Sequence, residues 1–181
     1  DGLVREMLKY APSKIDYVEL NPVLTSMVTK HLPDDIRKSL EAPGVHLIFS
    51  DPRQYLKRSG KYDLILVGMP EPDSGQANRF YTKDFFEQCA SKLNAGGILG
   101  LRLRASENLW TNPLTNRNAG IFNALRSVFP SVLFLPGTTN IITASPAPLP
   151  QTPEIMTQRL QDMRPATRLI TPAYIRYLFQ N

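Results

Sequence analysis

At 181 residues, 42% hydrophobic and 20% charged, the chain is long enough to bury a sizeable core and too apolar for disorder. Its net charge of +5 is scattered rather than striped, which excludes a dense nucleic-acid face, and no apolar run nears the ~20 residues of a membrane-spanning helix. The single cysteine, Cys89, rules out an internal disulfide, and His31 and His46 stand apart with no metal-ligand spacing, so no metal is expected. No secretory signal is expected at the start.

In chain order, Asp1-Gly2 leads into a helical pattern, LVREMLKY, stopped at Ala11-Pro12. Ile15 to Leu20 reads as a strand with an acid, Glu19, at its end. Pro22 opens a helix, Pro33-Asp34-Asp35 opens a second helical turn to about Glu41, and Pro43-Gly44 is a turn. VHLIFS is the next strand, ending at Ser50-Asp51, and PRQYLKR is a short helix. Leu64 to Val67 then reads as a strand buried on both faces, because the apolar run is too short for a helix.

After that strand comes a polar loop holding Gly68, Pro70, Glu71, Pro72, Asp73 and a flexible Ser74-Gly75. Ligands of open α/β sheets bind beyond the carboxyl ends of strands, so chemistry is expected here. Thr82 is the expected N-cap of TKDFFEQCASKLN, with Phe85, Phe86, Cys89 and Leu93 on one face. Ala95-Gly96-Gly97 stops that helix before the strand ILGLRLR. A loop carrying Trp110 follows, and Thr115 to Phe129 is predicted helical. VLFLPG and NIITAS form a hairpin-like pair around a Gly-Thr-Thr turn.

The expected fold is α/β: a methyltransferase-like, Rossmann-like, mostly parallel sheet closed by a C-terminal antiparallel hairpin. One domain over residues 1–181 is expected, with a Pro-rich linker at 145–153 and a helical tail at 154–181. Such a sheet begins with a central strand before the Leu3 helix, so that strand is expected upstream of Asp1. A strand-end carboxylate such as Glu19 can accept from both hydroxyls of a ribose, or it can be a solvated acid. Asp51 can accept from an adenine amino group, although, taken alone, a helix N-cap before Pro52 is the favoured reading.

The segments DGLVREMLKY, IDYVELNP, FSDPRQYL, YDLILVGMPEP and NRFYTKDFFEQCASKLNAGGILGLRL, spread from Asp1 to about Ser145, resemble the spermidine/spermine synthase (polyamine aminopropyltransferase) family. ANRFYT, LPGTTN and TPAYIRYL are similar to a bacterial branch fused to membrane-spanning segments. The resemblance implies transfer of an aminopropyl group from decarboxylated S-adenosylmethionine to a small-molecule amine, with no tightly bound cofactor. It places Asp1, Glu19 and Asp51 on the nucleoside side and Glu71 and Tyr81 on the amine side. It also implies a cytoplasmic location, as a free enzyme or as the cytoplasmic domain of a membrane protein, and it allows a homodimer.

The chain departs from the family at Gly68, where the resemblance implies the Asp that accepts the amine's proton. An amine with an ordinary pKa of about 10 needs such a base before it can attack. Glu71 and Asp73 are the substitutes within the loop. Two other readings stay open: a non-catalytic nucleoside- or polyamine-binding regulatory domain of a membrane protein, motivated by Gly68, and an S-adenosylmethionine-dependent methyltransferase, which the fold permits.

Overall fold

The computed structural model describes residues 2–105, 111–137, 139–150, 152–163 and 169–180. The chain divides into two compact units, residues 1–59 and 60–181. Among the described residues no helix is long and apolar enough to cross a membrane.

The first unit is built on a parallel pair, β1 (Ile15–Glu19) and β2 (Val45–Phe49), in register from Ile15 opposite Val45 to Glu19 opposite Phe49. α1 (Leu3–Leu8) precedes it, and α2 (Pro22–Thr29) and α3 (Asp34–Leu40) make the crossover that a parallel pair requires. α4 (Pro52–Arg58) follows β2. The starts of the helices follow local chemistry. The Asn21 side chain accepts from the Leu24 amide ahead of Pro22, and the Asp51 side chain accepts from the Arg53 amide ahead of Pro52. α1 and α3 are tied by Arg5 and Asp35, and that guanidinium holds the Asp35 carboxyl below its ordinary range.

At the amino end of the β1–β2 pair, Asp16 is nearly sealed from solvent, with 2% of its side chain exposed. It accepts from the Tyr55 hydroxyl at 2.7 Å and meets Lys14 Nζ at 2.8 Å and His46 Nδ1 at 3.0 Å. A buried carboxylate is tolerated only when satisfied in this way. His46 therefore serves a structural cluster at the end of the sheet opposite to Glu19.

The second unit is a four-stranded mixed sheet in the order β3–β4–β6–β5. β3 (Tyr62–Val67) runs parallel to β4 (Leu93–Arg104), while β6 (Thr139–Ser145) lies antiparallel to both β4 and β5 (Ser131–Leu135). The C-terminal hairpin read from the sequence is therefore present. β3 differs from expectation. It is the edge strand of this sheet, and its Leu64 and Leu66 are 46% and 40% exposed, so only one of its faces is packed.

The core of this unit gathers Phe85, Phe86 and Cys89 of α6 (Lys83–Ser91), Leu99, Leu101 and Leu103 of β4, Ile142 of β6, and Ile121 and Leu125 of α7 (Asn112–Arg126). Two boundaries move. Leu93 continues the apolar face of α6 in sequence, yet it opens β4, because the chain leaves the helix at Lys92 and Tyr62 pairs with Leu93. The Ala95-Gly96-Gly97 stretch is an irregularity inside β4, between the Tyr62–Leu93 and Leu64–Ile98 pairings. There Gly96 takes φ 80°, and a Cβ on Gly97 would lie 3.0 Å from two carbonyl oxygens, so glycine is required at both. α7 starts earlier than predicted, capped by Thr111 with Pro113 in its first turn. α8 (Pro153–Met163) and α9 (Pro172–Leu178) complete the described chain.

Candidate functional site

In the first unit, the parallel register sends Glu19 and the Ser50-Asp51 pair out of the same carboxyl edge, and the Ser50 amide donates to the Glu19 carbonyl at 3.1 Å. Glu19 Oε1 folds back to accept the Leu20 amide at 2.8 Å. Its Oε2 has only a long 3.5 Å approach from the Tyr17 hydroxyl, which leaves that oxygen the freer acceptor. Burial first, and then the Glu19 carboxylate, push the Tyr17 phenol above its ordinary range. Asp51 Oδ1 accepts the Arg53 amide at 2.8 Å, so the helix-cap role foreseen for it is realised. Asp1 lies outside the described residues.

In the second unit, the loop after β3 runs through Gly68 to Ser74 and is not wholly irregular beyond that point. Ser74 caps a short helix, α5 (Gly75–Asn78), by accepting from the Ala77 amide, where the sequence suggests only flexibility. Gly68 itself is unencumbered: a Cβ built there meets nothing within 4 Å.

The loop's two acids differ sharply. Glu71 Oε1 accepts the Arg104 amide at the end of β4 at 2.7 Å, and its Oε2 lies 3.1 Å from Arg117 Nη1 of α7. Arg117 Nη2 in turn donates to the Arg104 carbonyl at 2.9 Å. Glu71 and Arg117 thus grip one residue's peptide groups between them; Oε1 holds the Arg104 amide, while Oε2 is paired with the guanidinium by charge and accepts no hydrogen bond among the described residues. Asp73 is exposed, and among the described residues its carboxylate has no hydrogen bond or ion pair; only its amide is used, donating to the Glu71 carbonyl at 2.8 Å.

Tyr81 is buried at 4% exposure and donates its hydroxyl to the Met69 carbonyl at 3.1 Å, one residue past Gly68. Burial, then the Glu71 charge, outweigh Arg117 and Arg102 and push this phenol up to about 12. It is therefore a permanent donor that fixes the start of the loop. Sequence reading does not single out Arg117. A lone arginine on a helix, far in sequence from Glu71, looks like a solvated charge until the tertiary fold pairs them.

Comparison with known proteins gives concordant findings. The family described as "Spermine/spermidine synthase domain" matches residues 1–139. A polyamine aminopropyltransferase of Korarchaeum cryptofilum is 33% identical over 129 residues, covering 71% of this chain and 38% of that protein. Spermidine synthase from Thermotoga maritima superposes with a TM-score of 0.76 at 13% identity, over 98% of this chain and 60% of that one. Human methyltransferase-like protein 13, solved with SAH, gives 0.56 at 16% identity, over 92% of this chain and 69% of that one. The chain thus spans well under two thirds of the archaeal relative's length, and the structural likenesses establish an α/β fold of the spermidine synthase and methyltransferase kind.

Proposed function

The chain belongs to the spermine/spermidine synthase family, and from that premise we propose that the full-length protein transfers an aminopropyl group from decarboxylated S-adenosylmethionine to an amine. The observation that carries this reading is the family match across residues 1–139, which includes both strand-end acids and the loop after β3. Glu19, with Oε2 the freer of its oxygens, is assigned to the ribose, and Asp51 to the adenine side.

The chemistry sets the remaining requirement. The amine lone pair forms a C–N bond at the carbon next to the sulfonium. The C–S bond breaks, its electron pair passes to sulfur, and methylthioadenosine leaves as a neutral thioether. The new ammonium sheds one proton, and the attacking amine must reach the carbon unprotonated, so a base is needed at the loop. Glu71 is a poor choice because both oxygens are engaged. Asp73 is the loop carboxylate left free, and the role of proton acceptor is assigned to it.

The test is release of methylthioadenosine by the full-length protein from decarboxylated S-adenosylmethionine with a panel of amines. Asp73→Asn is expected to slow release about 10²-fold or more while leaving methylthioadenosine affinity unchanged. A full-length protein that makes no methylthioadenosine with any amine defeats the reading.

A further inference from the structure

Two side-chain carboxamides are buried in the second unit, apart from the acids considered above. Asn140 of β6 is 0% exposed and Asn118 of α7 is 3% exposed. Register puts Asn140 opposite Leu103, and Ile142 opposite Leu101. Directly opposed residues share one face of a sheet, so Asn140 is on the core face with Leu101, Leu103 and Ile142. Asn118 opens the buried stripe of α7, ahead of Ile121 and Leu125. The neighbouring Arg117 sets its level, because Nη2 donates to the Arg104 carbonyl at 2.9 Å, one residue beyond Leu103. Both carboxamides therefore lie on the same core face, toward the carboxyl end of β4.

Their polar atoms are incompletely paired. Among the described residues, neither Oδ1 nor Nδ2 of Asn140 has a hydrogen-bond partner, and nor has Asn118 Nδ2. The Asn118 orientation is set by its other atom, since Oδ1 accepts from Arg117 Nε and Nη2, each at 3.4 Å. Asn140 offers a donor and an acceptor whichever way its carboxamide is turned. A buried polar group without a partner is costly, so these atoms call for one. An anion would suit the amide groups and be repelled by the Asn140 carbonyl; a cation would suit the carbonyl and be repelled by two amide groups. Bridging them takes a neutral molecule that accepts from N–H and donates to C=O, and water does both.

We propose that Asn118 and Asn140 share one buried water, which joins β6 to α7 beneath the carboxyl end of β4. This goes beyond the aminopropyltransferase reading and does not depend on it. Because Asn118 also accepts from Arg117, which lies 3.1 Å from Glu71, the water stands behind that ion pair.

The experiment is a crystal structure of the full-length protein, joined to water oxygen-17 relaxation dispersion on wild type, Asn118→Leu, Asn140→Leu and the double variant. Density for a single water is expected about 2.7–3.2 Å from Asn118 Nδ2 and from the Asn140 carboxamide. In solution each single variant should lose the contribution of one long-lived water, and the double variant should lose no more than either alone. The proposal is overturned if the two carboxamides bond directly to each other or to other protein atoms, or if the density is that of a larger molecule. It is overturned equally by an undiminished dispersion in either single variant, or by a double variant that loses two waters. If a variant does not fold, the wild-type crystal structure alone decides.

Discussion

Gly68→Asp is expected to raise the rate of methylthioadenosine release by the full-length protein by up to about 10²-fold, the margin between the about 10² assigned to Asp73 and the upper end, about 10⁴, of what a positioned general base contributes. Position 68 directly follows β3, next to the Met69 carbonyl that Tyr81 holds in place. A Cβ there meets nothing within 4 Å, and the residue is not among those with positive φ, so a carboxylate can be added without strain. Asp73 lies five positions further along an exposed loop, and a base on the strand end has fewer bonds about which to wander. The gain should appear in turnover, with methylthioadenosine affinity unchanged. Gly68→Ala is the control and should give none. A folded, nucleoside-binding Gly68→Asp protein that is no faster than wild type would show that proton removal does not limit the reaction.

Phe86→Ala should cost about 3–5 kcal/mol of stability, the range for truncating a fully buried aromatic ring. Phe86 is 0% exposed, and its ring stands 6.3 Å from that of Phe85, which in turn meets Phe80 edge-on at 5.5 Å. The chain of rings joins α6, through Phe85, to Phe80 beside Tyr81, so the cavity would loosen the packing that leads to the loop's anchor. Total stabilities of about 5–15 kcal/mol make such a loss a large share of the whole. Urea unfolding should show a lower midpoint with an unchanged slope. An unfolding free energy within about 0.5 kcal/mol of wild type would mean that the site collapses around the missing ring, and the argument from burial would fail.

Much of this architecture is legible in the sequence because its signals are local. Thr82 ahead of Lys83, Pro22 behind Asn21 and Pro52 behind Asp51 mark helix starts by side-chain-to-amide bonds only two or three residues long. The β5–β6 hairpin is equally local. Leu93 misleads because it continues a 3.6-residue apolar period that the backbone does not follow; its partner, Tyr62, lies across the sheet. α5 is hidden because Ser74-Gly75 is at once a flexible dipeptide and a cap with its first helical residue. Glu19, Asp51, Glu71 and Asp73 are nameable from position alone. Which loop acid is free depends on Arg117 reaching Glu71 from another element, and no spacing rule reports that contact. The exposed Leu64–Leu66 face of β3 is invisible for a similar reason, since an apolar run shows that a strand can be buried, not that both its faces are.

The buried thiol of Cys89 has a consequence for how this protein can be watched in motion. It is the chain's single cysteine, 0% exposed on the core face of α6, and burial pushes its thiol up to about 12. A disulfide reagent attacks only a thiolate that it can reach, so labelling must wait for α6 to lift from the sheet. The modification rate at fixed pH is thus an intrinsic clock for opening of the second unit. A ligand that holds the loop after β3 should slow that clock without touching the sulfur.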